Sequence, residues 1–263
     1  MASLRKGLDL RKGCVISLVG AGGKTSLMYR LASELSTAGD TVLTTTTTKI
    51  FKPSTDQSFG VIISESVNDI LDRAKNLLNQ HRHITAGADW AAEKNKLIGF
   101  PPEFIKRLWI AELFQWIIVE ADGAAGRPIK VPATHEPVIP DCTRCLVGLV
   151  GLNGVGKPLN EQLVFRHEKF GKIAGLAPGA YVSEEAIVNV LMHKNGIFKG
   201  TPPEVARIAF LNQADAVQNL AAGQRIVRIL SKRKYTGLKR VVIGQIAFDP
   251  PVLETYCLRR QGD

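Results

Sequence analysis

The stretch Cys14 to Ala38, CVISLVGAGGKTSLMYRLASELSTA, passes from a short apolar segment through a glycine-rich turn into an amphipathic pattern. The apolar run ends at Val19, and Leu27, Leu31 and Leu35 then recur at helical spacing, so the turn joins a buried strand to the start of a helix. A phosphate-binding loop needs that context. Without Cβ atoms at Gly20, Gly22 and Gly23, several backbone N–H groups can converge on an anion at a helix end whose dipole also favours negative charge. The expected phosphate-binding residues are therefore Gly20, Ala21, Gly22, Gly23, Lys24, Thr25 and Ser26. Lys24, read as an exposed loop lysine, would reach the outer phosphates, and the Thr25 hydroxyl would ligate Mg²⁺.

A second informative stretch lies about a hundred residues on. Trp116 to Glu120, WIIVE, is a continuous apolar run ending in Glu120-Ala121-Asp122-Gly123, the way a Walker B strand delivers carboxylates beside a phosphate loop. Asp122, with Thr25, is the expected Mg²⁺ ligand, and Glu120 or Asp122 could orient an attacking water. Lys24, Glu120 and Asp122 are thus the candidate catalytic residues. The proline-punctuated segment after them carries Arg127, Lys130, His135 and Glu136; it is too irregular for a helix and is expected to line a substrate pocket.

A third site follows Arg207 to Leu211, RIAFL, in Asn212-Gln213-Ala214-Asp215. The tetrapeptide resembles the base-reading N-K-x-D of GTPases, in which the Asn braces the site and the Asp carboxylate accepts hydrogen bonds from guanine. Gln213 stands where the lysine would be. Asp215 also precedes a helix pattern with Val217, Leu220, Ile226 and Ile229 among its apolar positions, so it could equally cap that helix, and both roles can hold at once.

The remaining segments complete an alternation of strands and helices. Thr41 to Thr48 reads as a strand whose hydroxyls from Thr44 onward, with Lys49, either face the nucleotide or belong to a half-polar strand. Phe59 to Ile63 reads as a strand and Val67 to Leu78 as a helix. A further helix opens at Pro101-Pro102 and runs to about Leu113. His81 and His83 are ordinary strand-end residues or half of a metal site. Cys145 to Val150 is a buried strand. After it, Gly151 to Pro158 imitates the first glycine loop but has Pro158 in place of the hydroxyl, so it borders the main site, with Lys157 near anionic substrate. Ser183 starts a helix to His193. Val241 to Ile246 closes the sheet, and the tail after Pro250-Pro251 is loose or an interaction strand. The expectation is one three-layer α/β domain over residues 1–263 with a mainly parallel sheet, resembling P-loop NTPases, with Val19, Thr48, Glu120 and Leu211 ending at one edge.

Composition bounds the function. A chain of 263 residues with 45% hydrophobic content can bury a sizeable core. No apolar run nears the roughly 18 residues that cross a bilayer, and MASLRKGLDLRKG has no apolar signal core, so a cytoplasmic protein without a membrane partner is expected. Four scattered cysteines suggest no disulfide framework. Cys142 and Cys145 have redox or metal-pair spacing but no second pair to complete a zinc site. The formal charge is +10, and seven basic residues with no acidic one lie between Arg225 and Arg240. Nucleic acid is nevertheless disfavoured, since no aromatic platform beyond Tyr235 accompanies them.

The G-x-x-G-K-T turn resembles the ATP-binding loop of the Mur ligases. Taken in order, VGAGGKTS, TTTTTK, VEADGAAGRPIKVPATHEPVIP, GLNGVGKPL, HKNGIFKGTPP and FLNQAD resemble the YqeC family, known as accessory proteins of selenium-dependent molybdenum hydroxylases, over nearly the whole chain. The resemblance implies a P-loop NTPase that helps a molybdenum-containing hydroxylase to mature, with that enzyme or its cofactor-assembly machinery as protein client. The expected ligands are Mg²⁺ and ATP or GTP, with GTP ahead because of Asn212 and Asp215. A Mur-like ATP-dependent ligase and a non-hydrolysing, nucleotide-gated binding module are the alternatives.

Overall fold

Strands that are apolar along their whole length need cover on both faces, and here three of them become the middle of one sheet. The computed structural model describes residues 3–233 and 237–258. Its main sheet has nine strands: β1 (Val15–Gly20), β2 (Val42–Thr46), β3 (Gly60–Ile63), β4 (His83–Gly87), β5 (Trp116–Glu120), β6 (Thr143–Gly151), β7 (Ala206–Asn212), β8 (Arg240–Gly244) and β9 (Val252–Cys257). Their spatial order is β9-β8-β7-β6-β1-β5-β2-β4-β3, so β1 is central, between β6 and β5. All neighbours are parallel except β8 and β9.

Alternate residues of β1 sort the helices into two outer layers. Ile16 and Leu18 pack with Leu27, Leu31 and Leu35 of α2 (Lys24–Thr37) and with Leu4 of α1 (Leu4–Gly7). On the opposite face Val15 joins α3 (Val67–Leu78) and α4 (Pro102–Ile110). Val19 joins α5 (His167–Ala174), α6 (Glu184–Met192) and α7 (Val217–Lys232). The expected three-layer α/β fold with a mainly parallel sheet is the observed one. Register then sets the functional edge: Leu18 and Thr46 both lie opposite Glu120, Gly20 opposite Leu149, and Gly151 opposite Asn212. The carboxyl ends of five strands converge there.

Several local expectations change. The threonine strand stops at Thr46, and Lys49–Phe51 turns into a separate antiparallel sheet with Asp89–Ala91 and Lys96–Ile98, strands of three residues that are too short to show a period. The helix after Pro101 ends at Ile110. Residues 252–257 are an edge strand on β8, so the sheet closes on β9 and the tail is ordered through that strand. Val217 is 85% exposed, and α7 buries Ala222, Ile226, Val227 and Leu230 instead. Cys145 lies in β6 and Cys142 just before it, both buried as free thiols. Burial pushes Cys145 up to about 12, which removes thiolate reactivity.

His83 opens β4 with its ring buried, Nε2 2.9 Å from the Thr44 hydroxyl, which in turn meets the Thr85 hydroxyl at 2.7 Å. It is a core histidine, and burial lowers its pKa from 6.5 to about 4. Because the folded value is the lower one, the unfolded chain takes up the proton first as pH falls. Stability is therefore complete above about pH 6.5 and is lost between there and about pH 4. The expected loss from this group is about 3 kcal/mol. Urea-unfolding free energies at the two pH values should show a smaller drop for His83→Gln than for the parent; equal drops would assign the acid sensitivity elsewhere.

Candidate functional site

The glycine-rich turn has the backbone that only its glycines permit. Gly20, Gly22 and Gly23 have φ of 89°, 88° and 119°. A Cβ on Gly22 would strike the Gly151 backbone and the Pro128 carbonyl, so the turn is wedged between two neighbouring loops. Gly23 caps α2 in a left-handed conformation, and no side chain bonds the first-turn N–H groups of that helix. Among the described residues the N–H groups of Lys24, Thr25 and Ser26 have no side-chain acceptor, while the Leu27 N–H bonds the Gly23 carbonyl.

Lys24 is buried, 4% exposed, and not the free loop lysine its sequence context suggests. Its Nζ donates to the Gly20 carbonyl at 2.8 Å and lies 3.2 Å from Asp122 Oδ1 and 3.6 Å from Glu120 Oε1. Glu120 Oε2 accepts from the Thr25 hydroxyl at 2.7 Å, and Asp122 Oδ2 accepts from the Gly20 N–H at 3.1 Å. Burial works against the Lys24 ammonium, yet the Asp122 and Glu120 charges outweigh it and hold its pKa above the ordinary lysine value. Burial pushes Glu120 above the usual carboxylate range, with Lys24 and Thr25 offsetting it only in part. Asp122 Oδ1 is buried and has no hydrogen bond, so its 3.2 Å contact with Lys24 is Coulombic rather than directed.

Lys24 and Thr25 at the start of α2 and Glu120 and Asp122 at the end of β5 are thus brought together. Among the described residues no three His, Cys, Asp or Glu side chains form a metal cage. A hydroxyl and two carboxylates, one with a buried oxygen that has no hydrogen bond, do fit Mg²⁺, which commonly takes one or two carboxylates together with phosphates and water.

Asn212 bonds at both ends of its amide: Nδ2 donates to the Gly22 carbonyl at 2.7 Å, and Oδ1 accepts from the Ile246 N–H at 2.9 Å. It braces the glycine turn. Asp215 does not cap α7; Ala216 occupies the cap position without a side-chain bond, and the Asp215 side chain is exposed. Gln213 takes a left-handed conformation, φ 66°, with Oε1 buried and without a hydrogen bond.

The hydroxyls of Thr44 to Thr47 are engaged within the chain, Thr47 with the Val138 carbonyl. Thr44 serves His83 and Thr85, Thr45 donates to the Ala86 carbonyl, and Thr46 donates to the Glu120 carbonyl. Lys49 is exposed on the small sheet. Gly151 borders the glycine turn as expected, its N–H donating to Pro128, while Lys157 and His135 are exposed. Much of the basic stretch is paired within the chain: Arg225 with Glu184, Arg233 with Glu185, Lys239 and Arg240 with Asp9. Lys234 and Tyr235 lie outside the described residues.

Sequence reasoning missed one buried network. Lys130 pairs with Asp122 at 2.9 Å and Glu136 at 2.8 Å, and Glu136 also pairs with Arg166 at 2.8 Å. Although burial works to raise it, Lys130 and Arg166 bring the Glu136 carboxyl down to about 2. Lys130 and Glu136 stand out only as charges in an apolar, proline-rich segment, and nothing in the sequence joins Arg166 to them.

Among solved structures, the signal recognition particle 54 kDa protein from Aeropyrum pernix K1, in complex with GDP, aligns with 94% of this chain at 12% identity and a TM-score of 0.38. The chain spans 44% of that structure's length, and the fold rests on the strand order above rather than on this loose likeness. The uncharacterized protein YqeC of Escherichia coli (strain K12) is 31% identical over 251 residues, which are 94% of this chain and 93% of the relative. The profile of the family described as YqeC protein matches residues 16–168, more than half of the chain. With the family match and the relative in agreement, this chain belongs to the YqeC family.

Proposed function

We propose that this chain is one P-loop domain that binds a nucleoside triphosphate with Mg²⁺ at the Gly20 to Ser26 turn and hydrolyses it. The observation that carries the reading is the meeting of Lys24 with Asp122 at 3.2 Å and Glu120 at 3.6 Å, and of Glu120 with Thr25 at 2.7 Å, beside a turn of three positive-φ glycines. Backbone N–H groups of the turn and of α2 hold the phosphates. Lys24 leaves the Gly20 carbonyl for the outer phosphate oxygens, where it stabilises charge that develops on the transferred group. Thr25 and Asp122 would hold Mg²⁺, which when bound neutralises phosphate charge. Glu120, raised by its burial, loses the Lys24 counter-charge at that moment and is placed to accept a proton from an attacking water. Asn212 keeps the turn in shape through Gly22, and the exposed Asp215 carboxylate is free to read guanine. The wider role, as a maturation factor for a selenium-dependent molybdenum hydroxylase, rests on the family resemblance.

Titration with fluorescent analogues of GTP and ATP tests the reading. The parent should bind with saturation, and Lys24→Ala should lose at least about tenfold in affinity, a difference near 1.4 kcal/mol. Lys24→Ala also strips two buried carboxylates of a cation, so an unfolding free energy lowered by about 3 kcal/mol is expected; Thr25→Ala, with no charge removed, separates the two effects. Equal binding by parent and both variants would remove the phosphate-loop assignment. Chelation of Mg²⁺ should weaken the parent by at least about tenfold, because a departing Lys24 then leaves Glu120 buried without a cation while Asp122 keeps only Lys130.

Base preference is the third measurement. Adenine lacks the ring N–H donor that guanine offers a carboxylate, and a hydrogen bond to a charged group contributes about 1.5 kcal/mol, so GTP should compete about tenfold better than ATP. Asp215→Ala should erase that preference with little change in stability, since Asp215 caps no helix. A parent that prefers ATP, unaltered by Asp215→Ala, would show that this carboxylate reads no base.

A further inference from the structure

A fully buried lysine ammonium must be ringed by anions and carbonyls or burial deprotonates it. Lys130, on the two-residue strand Ile129–Lys130, is 1% exposed. Its Nζ meets three oxygens: the Gly123 carbonyl at 2.6 Å, Glu136 Oε2 at 2.8 Å and Asp122 Oδ2 at 2.9 Å. Asp122 Oδ2 thereby holds Lys130 and the Gly20 N–H, while Oδ1 is left buried without a hydrogen bond beside Lys24. Lys130 thus decides which oxygen of Asp122 is available.

The other end of the contact enters the 131–137 loop. Glu136 Oε2 also accepts from Arg166 at 2.8 Å and from the Ala133 N–H at 3.2 Å. Arg166 donates to the Val131 carbonyl, Lys169 to Pro132, and Lys199 to Ala133, Thr134 and Glu136. The loop has little secondary structure of its own and is held by cations. An unbroken alternation of charge runs from Lys24 through Asp122, Lys130 and Glu136 to Arg166.

We propose that Lys130 is a positioning residue of the nucleotide site, and that it couples nucleotide binding to the 131–137 loop. The proposal rests on the function proposed above. Lys130 divides its charge between Asp122 and Glu136. A ligand that draws on Asp122 shifts Lys130 toward Glu136, the one loop carboxylate that also holds Arg166, and so tightens the loop. Because coupling is reciprocal, whatever steadies the loop raises nucleotide affinity by the same factor.

Hydrogen exchange on the full chain, with saturating GTP and in parallel ATP, each with Mg²⁺, reads the coupling. Amides of residues 131–138 should slow by at least about fivefold when nucleotide is bound. Glu136→Gln, nearly isosteric, should still bind nucleotide but lose the slowing. If that variant does not fold, Arg166→Gln at a partly exposed side chain should give the same loss. Unchanged exchange in a nucleotide-saturated parent, or slowing that persists in the folded variant, overturns the coupling while leaving the nucleotide site intact. A parent that binds neither nucleotide in the titration overturns both, and the titration alone reveals it.

Discussion

The site depends on the burial of Lys24. An ammonium carried out of water costs several kcal/mol unless anions meet it, and Asp122 and Glu120 do so only because β5 lies directly beside β1. Register fixes the rest. With Leu18 opposite Glu120, two further residues along each chain bring the Asp122 carboxylate to the Gly20 N–H. One residue of slip would carry the carboxylates away from the ammonium and leave three charges buried alone.

Close packing makes the glycine turn sensitive to the far half of the sheet as well. Gly22 touches the Gly151 backbone and the Pro128 carbonyl, and its own carbonyl is held by Asn212 from β7. The turn is therefore gripped by the loops after β5, β6 and β7 together. Asn212 in turn accepts from Ile246, beyond β8, so four strand ends share one hydrogen-bonded frame. A loop gripped this way is pre-organised, and little ordering entropy remains to be lost when an anion binds.

The sequence carried the frame further than the details. The period switch at Val19, the apolar run ending at Glu120 and the helix Val67–Leu78 are local signals, and all three match the structure in place and type. Asp215 misled because an acidic residue before a helix resembles a cap, while the chain turned one residue later at Ala216. The threonine run misled because hydroxyls can be spent inside a sheet, as Thr44 and Thr45 are. Lys24 looked exposed because its burial depends on partners about a hundred residues away. Arg166 was illegible for the same reason: its meeting with Glu136 is a tertiary contact across thirty positions with no periodic trace.

The two carboxylates of the site differ in surroundings, and that difference separates their roles under the proposed function. Asp122 is contacted by two ammonium groups and a backbone N–H, so its place and charge are fixed from three directions. Glu120 has one more distant ammonium, at 3.6 Å, and a neutral hydroxyl, and its pKa is already raised by burial. Under the proposed function the carboxylate with two ammonium partners serves as a counter-charge and the one with a single distant ammonium as the proton acceptor. When Lys24 moves to phosphate, Asp122 keeps Lys130 while Glu120 keeps only Thr25, so the asymmetry widens as the ligand binds. Under the proposed function Glu120 is therefore the proton acceptor, while Asp122 stays paired with Lys130.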